Sequence, residues 1–210
     1  MSLLGGILWN LLLATIPVVL GNCIGQIDQQ LALRRNVMLR LGQILLFLIW
    51  LALLPNTCYL LTEWRHFLDI VDSQNLYLRA ERSQRVLYDI CVFAVFYLFY
   101  SGFGAMSLAL SIRPVEQLLS RRRVKFFFIA PFLFTLLSLG VYLGLLLRFN
   151  SWDLLARPSR VWSSIMDIPH SPLLITSIVV FALFLWGMYE AIDIWVDGVR
   201  QRLRPAKRSN

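Results

Sequence analysis

Glu63 and His66 stand three residues apart, a spacing that puts a carboxylate and an imidazole on one face of a helix. They belong to the stretch Leu54-Pro-Asn-Thr-Cys-Tyr-Leu-Leu-Thr-Glu-Trp-Arg-His-Phe-Leu-Asp69. At 100° per residue, Asn56, Tyr59, Glu63 and His66 fall within an arc of roughly 80°, with Asp69 within loop reach. An amide, a phenol, a carboxylate and an imidazole would then line one stripe. The chemistry this suits is proton transfer, with His66 beside Glu63 as the abstracting base. Two other segments carry complementary groups: Tyr88-Asp89, and Arg148-Phe-Asn-Ser-Trp-Asp153. Arg148 and Asn150 supply donors able to hold an anionic oxygen. The acid–base candidates are Glu63, His66, Asp89 and Asp153; Asn56, Tyr59, Tyr88, Arg148, Asn150 and Trp152 are the candidates for positioning a substrate.

Glu63-x-x-His66 is also a spacing at which two ligands share a metal ion, and Asp69, Asp89, Asp153 or His170 would complete the set. A di-iron bundle needs that pair twice and it occurs once, so no metal is assigned and the cofactor stays unknown. A Ser-His-Asp order, a Gly-rich phosphate loop and a nucleotide fingerprint are all missing, which leaves open whether the chain is an enzyme. Each group also has a plain structural use. Asp89 suits the first turn of a helix and Arg148 the last. Asn150 or Ser151 suits the cap of a short helix beginning at Trp152. Trp64, Trp152 and Trp162 suit the interfacial belt of a membrane protein.

The elements that must position these groups are apolar. Of the 210 residues 58% are hydrophobic, and the charged ones gather between long apolar runs. The runs are Leu3–Ile24, Leu41–Thr62, Ile90–Ile112, Phe126–Leu147 and Leu173–Trp195, each near the 20 or so residues that cross a bilayer as a helix. Lipid cannot satisfy bare backbone groups, so the expected fold is all-α: one integral membrane domain over 1–210, a bundle of about five transmembrane helices. The first run has no basic residue ahead of it, so it reads as a retained span rather than a cleaved signal peptide. Arg113-Pro114 is expected to stop the third span, and Leu76–Leu87 to form an interfacial helix with a Glu81/Arg85 pair. Gly140 and Gly144 read as a close-packing face. Cys58 and Cys91 would lie at similar depth if their helices are neighbours, which by itself does not establish a disulfide.

Most of the 20 lysines and arginines fall in alternate connections. Arg34, Arg35 and Arg40 follow the first span; Arg113, Arg121, Arg122, Arg123 and Lys125 follow the third; Arg200, Arg202, Arg204, Lys207 and Arg208 lie in the tail 198–210. Acids outnumber bases between Glu63 and Asp89. The positive-inside rule then puts the N-terminus outside and the basic C-terminus in the cytoplasm. All three polar segments thereby emerge on the outer side. Asp193 is expected to pair with Arg200 or Lys207. The net charge of +8 points to membrane lipid rather than nucleic acid.

At the same residues the chain resembles a family. Leu54-Pro-Asn-Thr-Cys-Tyr-Leu-Leu-Thr-Glu-x-x-His66, Tyr88-Asp89, Ser101-Gly-Phe-Gly-x-x-Ser-Leu108 and Gly140-Val-Tyr-Leu-Gly-x-x-x-Arg-Phe-Asn-Ser-Trp-Asp153 are similar to domain of unknown function family 1361, polytopic proteins of bacterial membranes. The resemblance implies a multi-pass protein of the bacterial cytoplasmic (inner) membrane and brings no catalytic residues with it. It also implies Asp where this chain has Glu63, and Arg where it has Leu145. The leading functional expectation is an outward-facing polar pocket that binds or modifies a lipid-linked or envelope substrate. The alternative is a non-enzymatic accessory or assembly subunit docked to a membrane-protein partner.

Overall fold

The computed structural model describes residues 3–33, 36–145, 147 and 156–203, and among these the regular structure is helical throughout. In chain order the helices are α1 (Leu3–Leu33), α2 (Val37–Leu53), α3 (Pro55–Thr62), α4 (Trp64–Ser73), α5 (Leu76–Ala80), α6 (Gln84–Arg121), α7 (Phe126–Leu145), α8 (Pro158–Met166) and α9 (Pro172–Leu203). A 3-10 turn, Ile168–His170, precedes α9. Among the described residues, 5 segments are long and apolar enough to cross a membrane: α1, α2 to α4 taken together, α6, α7 and α9. Large apolar side chains such as Leu45, Phe99, Phe128 and Phe132 point away from the bundle. Water would penalise that surface and hydrocarbon would not. The chain is a membrane protein with several spans.

The bundle has a near end, where α1 begins, and a far end, where α9 finishes. Its spine is α1 lying parallel to α6, with Asn10 meeting Tyr100, Pro17 meeting Ser111, and Asp28 meeting Arg122. Since hydrocarbon gives no general hydrophobic pull between helices, small residues and side-chain hydrogen bonds must do the joining. Ser111 does most here. Its hydroxyl donates to the Pro17 carbonyl at 2.8 Å and accepts the Trp50 indole N–H at 2.7 Å, tying α1, α2 and α6 together at one buried point. A Cβ added at Gly21 would run into the Ser111 carbonyl, so the bare glycine is what allows α1 to approach that closely. Gln43 donates to the Ile24 carbonyl at 3.3 Å, and Ser138 of α7 to the Ile178 carbonyl of α9 at 2.8 Å. Such bonds are worth about 0.6 kcal/mol each in membranes, up to about 1.7.

The Gly140/Gly144 expectation is met in detail. A Cβ on Gly140 would lie 2.6 Å from the Pro55 ring, and one on Gly144 would collide with the Tyr59 hydroxyl. One turn separates the members of each pair, so α7 lies in register along α3.

Two expectations are corrected, and a question left open about Cys58 and Cys91 is answered. Pro114 does not end the third span: α6 continues to Arg121 with the proline inside it. The proline removes the bond to the Leu110 carbonyl, but contacts grip the helix on both sides, through Ser111 and Arg113 before it and through Glu116, which accepts from Tyr189, after it. The Glu81/Arg85 pair does not form. α5 ends at Ala80 and α6 begins at Gln84 behind an extended Ser83 (φ −146, ψ 111), so the two residues flank a break instead of sharing a helix. Cys58 and Cys91 are both free, the first buried and the second exposed.

Gly102 and Gly104 provide a matched test of this packing. Added methyl groups would meet nothing within 4 Å at Gly102, but the Leu60 Cβ at 2.7 Å and the Thr57 carbonyl at 2.8 Å at Gly104. Gly104→Ala is expected to destabilise the bundle by about 1–3 kcal/mol. Gly102→Ala should be neutral or stabilising by up to about 1 kcal/mol, since alanine is the better helix former. Thermal unfolding of the two variants in one detergent checks both signs.

Candidate functional site at the near end

The stripe read from the sequence survives because two potential breaks leave the backbone helical. Leu54, before Pro55, keeps φ −56 and ψ −38, and Glu63, between α3 and α4, keeps φ −64 and ψ −17. Asn56, Tyr59, Glu63 and His66 therefore climb one nearly continuous helical path. Asn56 is buried at 8% exposure, and Tyr59 lies over Gly144. Glu63 Oε2 sits 3.6 Å from His66 Nε2, with the carboxylate side chain 25% exposed and the imidazole 55%. The acid is sheltered while the base reaches solvent.

Glu63 also faces α6. The phenols of Tyr97 and Tyr100 lie within its electrostatic reach, and Tyr100 is hydrogen-bonded to Asn10 of α1. Trp64 fastens this corner: its indole N–H donates to Ser101 Oγ at 3.1 Å, and Ser101 donates back to the Tyr97 carbonyl at 2.8 Å. Trp64, Phe67 and Tyr97 stack as a ring triangle, with Trp64 and Phe67 edge-to-face at 5.6 Å. The result is a carboxylate beside an imidazole, two phenols and an amide, drawn from α1, from the α3–α4 junction and from α6. That arrangement can pass a proton between a largely sheltered acid and an exposed base.

Other predicted site residues are not part of this corner as described. Tyr88 and Asp89 are exposed in the first turns of α6, about 12 Å along the axis from Tyr97 at 1.5 Å per residue, and Asp89 is not brought to the Glu63/His66 pair. Arg148, Asn150, Trp152 and Asp153 lie outside the described residues. His170 is exposed in the turn before α9. Among the described residues no group of 3 or more His, Cys, Asp or Glu side chains is arranged to hold a metal ion. Asn10, Tyr97 and Tyr100 escape the sequence reading, and Ser101 enters it only within the family-like segment. The available signal was Asn10, one of two amides inside the apolar run Leu3–Ile24.

A second polar cluster lies at the far end and has a different character. Arg113 of α6 is buried at 8% exposure. Its Nε lies 3.4 Å from Asp193 Oδ1, its Nη2 pairs with Asp197, and Tyr189 donates to Glu116. Asp193 thus pairs with Arg113 of α6 and not with Arg200, while Lys207 lies outside the described residues. A buried cation needs carboxylates more than a solvated one does. One buried cation thus meets two carboxylates, Asp193 and Asp197, and these pairs clamp α6 to α9.

Comparison with known proteins adds one match. A family model described as "Protein of unknown function (DUF1361)" covers residues 9–187. No curated protein and no solved structure matches the chain.

If Trp64 fastens the near-end corner, Trp64→Phe should keep the ring stacking and lose only the bond to Ser101. The cost expected is about 1 kcal/mol, confined to local opening. Hydrogen exchange should quicken several-fold across Trp64–Ser73 and stay unchanged across Val37–Leu53.

Proposed function

The chain belongs to the DUF1361 family, and from that premise we propose that it binds, and chemically alters, a lipid-linked or envelope substrate at its near end. The observation that carries this reading is Glu63: a carboxylate three-quarters sheltered, 3.6 Å from an exposed imidazole and flanked by two phenols. Ionisable groups at the edge of a membrane-spanning segment are costly to keep and mark function by default. A neighbouring feature supports a lipid-linked substrate. Thr62, Tyr142, Leu174, Ile178 and Phe181 border an almost wholly apolar cavity of about 290 Å³, one residue along the chain from Glu63. An acyl or polyprenyl chain lying there would bring its polar end to the acid–base pair.

Orientation supports the same reading. Arg40, Arg121, Arg122, Arg123, Lys125, Arg200 and Arg202 crowd the far end, which the positive-inside rule assigns to the cytoplasm of a bacterial inner membrane. The near end then faces the envelope. In the proposed reaction His66 takes the proton and Glu63 stabilises the imidazolium that results. Asn56 and Tyr59 shape the wall beneath them. Tyr88, Asp89, Arg148, Asn150, Trp152 and Asp153 belong to the same outward face in this proposal, where they would meet the substrate's polar part.

Glu63→Gln and His66→Ala, each expressed in place of the parent chain, are expected to abolish its function in the cell, with losses of about 10²-fold or more for an acid–base role. Membrane level and melting temperature should stay near those of the parent. Variants that unfold or vanish from the membrane would assign both groups to structure. Native mass spectrometry of the gently extracted protein should retain a lipid-linked companion; a stoichiometric protein partner in its place would favour the accessory-subunit reading.

A further inference from the structure

The far end carries a cavity that the near-end chemistry does not use. It measures about 720 Å³ and is bordered by Asp28 and Leu31 of α1, Val37 and Arg40 of α2, and Arg121 and Arg122 of α6. Three guanidinium groups thus face one space with a single carboxylate among them. Asp28 is largely buried beneath the arginines, at 12% side-chain exposure. Its Oδ1 accepts from Arg122 Nη2 at 2.8 Å, and its Oδ2 lies 4.0 Å from Arg121 Nη1. Both of those arginines stay about half exposed. Arg40 makes no ion pair among the described residues. The carboxylate therefore aligns two cations without cancelling all three, and the cavity keeps a surplus of positive charge.

The geometry points to a binding site for the phosphate of an anionic membrane lipid. A planar guanidinium fork matches phosphate oxygens two at a time, and two forks held from below by one carboxylate lose little freedom when they engage. α2 begins at the same cavity, capped by Asn36 accepting from the Met38 N–H at 2.9 Å, so its positive dipole end adds to the field. The lining also turns apolar at Leu31 and Val37, and Val37 and Met38 leave their side chains exposed. A free phosphate would have no use for that apolar rim, whereas the glycerol and first methylenes of a lipid would cover it. Arg200 and Arg202 lie at the same end on α9 and do not border the cavity, so charge alone does not define the site. This inference rests on the chain spanning a membrane and is independent of the acid–base reading at the near end.

The test uses the full chain in mild non-ionic detergent, titrated with phosphatidylglycerol or phosphatidylcholine and followed by native mass spectrometry. One phosphatidylglycerol per chain should be retained in preference to phosphatidylcholine. Arg40→Gln with Arg122→Gln should weaken that binding about tenfold or more, while Arg200→Gln with Arg202→Gln should leave it within about twofold. Arg40→Gln alone removes no described ion pair, so it must report a measurable loss even if the double variant disturbs Asp28. Equal losses from both pairs of substitutions would reduce the effect to general surface charge and overturn the site. Displacement by millimolar inorganic phosphate, with no preference between the two lipids, would give the cavity to a free oxyanion and overturn the lipid assignment.

Discussion

Everything in this bundle depends on the Ser111 hydroxyl finding two partners in a medium without water. It accepts from Trp50 and donates to the Pro17 carbonyl, so three helices meet where one small side chain satisfies both its lone pair and its proton. Replacing Ser111 by alanine would leave the Trp50 indole N–H without this partner, a cost of about 0.6 to 1.7 kcal/mol for each bond lost. The other joints follow the same rule on a smaller scale: Gln43 to Ile24, Ser138 to Ile178, and glycines wherever backbones must touch. The near-end corner inherits its position from this point, since α1 and α6 continue from it to bring Asn10 and Tyr100 together beside Glu63.

The two ends divide the labour of charge. At the far end the buried Arg113 guanidinium is held between Asp193 and Asp197, which suits a clamp. At the near end Glu63 has His66 for company, and that imidazole is open to solvent, which suits exchange of protons with a visitor. What separates the two ends is the basic partner: the Arg113 side chain is 10% exposed and that of His66 55%, while Asp193 and Glu63 are equally sheltered at 25% exposure.

Much of this was legible beforehand. Five apolar runs of bilayer length translate into helices with little freedom, and the Asn56–His66 stripe kept its phase because neither Leu54 nor Glu63 departs from helical angles. The small-residue pair on α7 likewise announced a close neighbour, though not that the neighbour would be Pro55 and Tyr59. What escaped was tertiary. Pro114 reads as a stop by local rules, and only contacts from α1, α2 and α9 hold the helix through it. Asp193 has basic residues nearby in sequence, yet its partner comes from another helix. Tyr97 and Tyr100 look like ordinary aromatic lining until α1 and α3 are laid against them.

The parallel course of α1 and α6 has a bearing on how the protein is made. Trp50 and Pro17 leave the ribosome in the first helical pair, but the hydroxyl that links them lies 61 residues beyond one and 94 beyond the other. The nascent hairpin must wait in the bilayer with its indole N–H unanswered until the third crossing is threaded beside it. Integration of that later segment is the step at which a loose pair becomes a committed core, and the insertion machinery has reason to hold the early helices until it arrives.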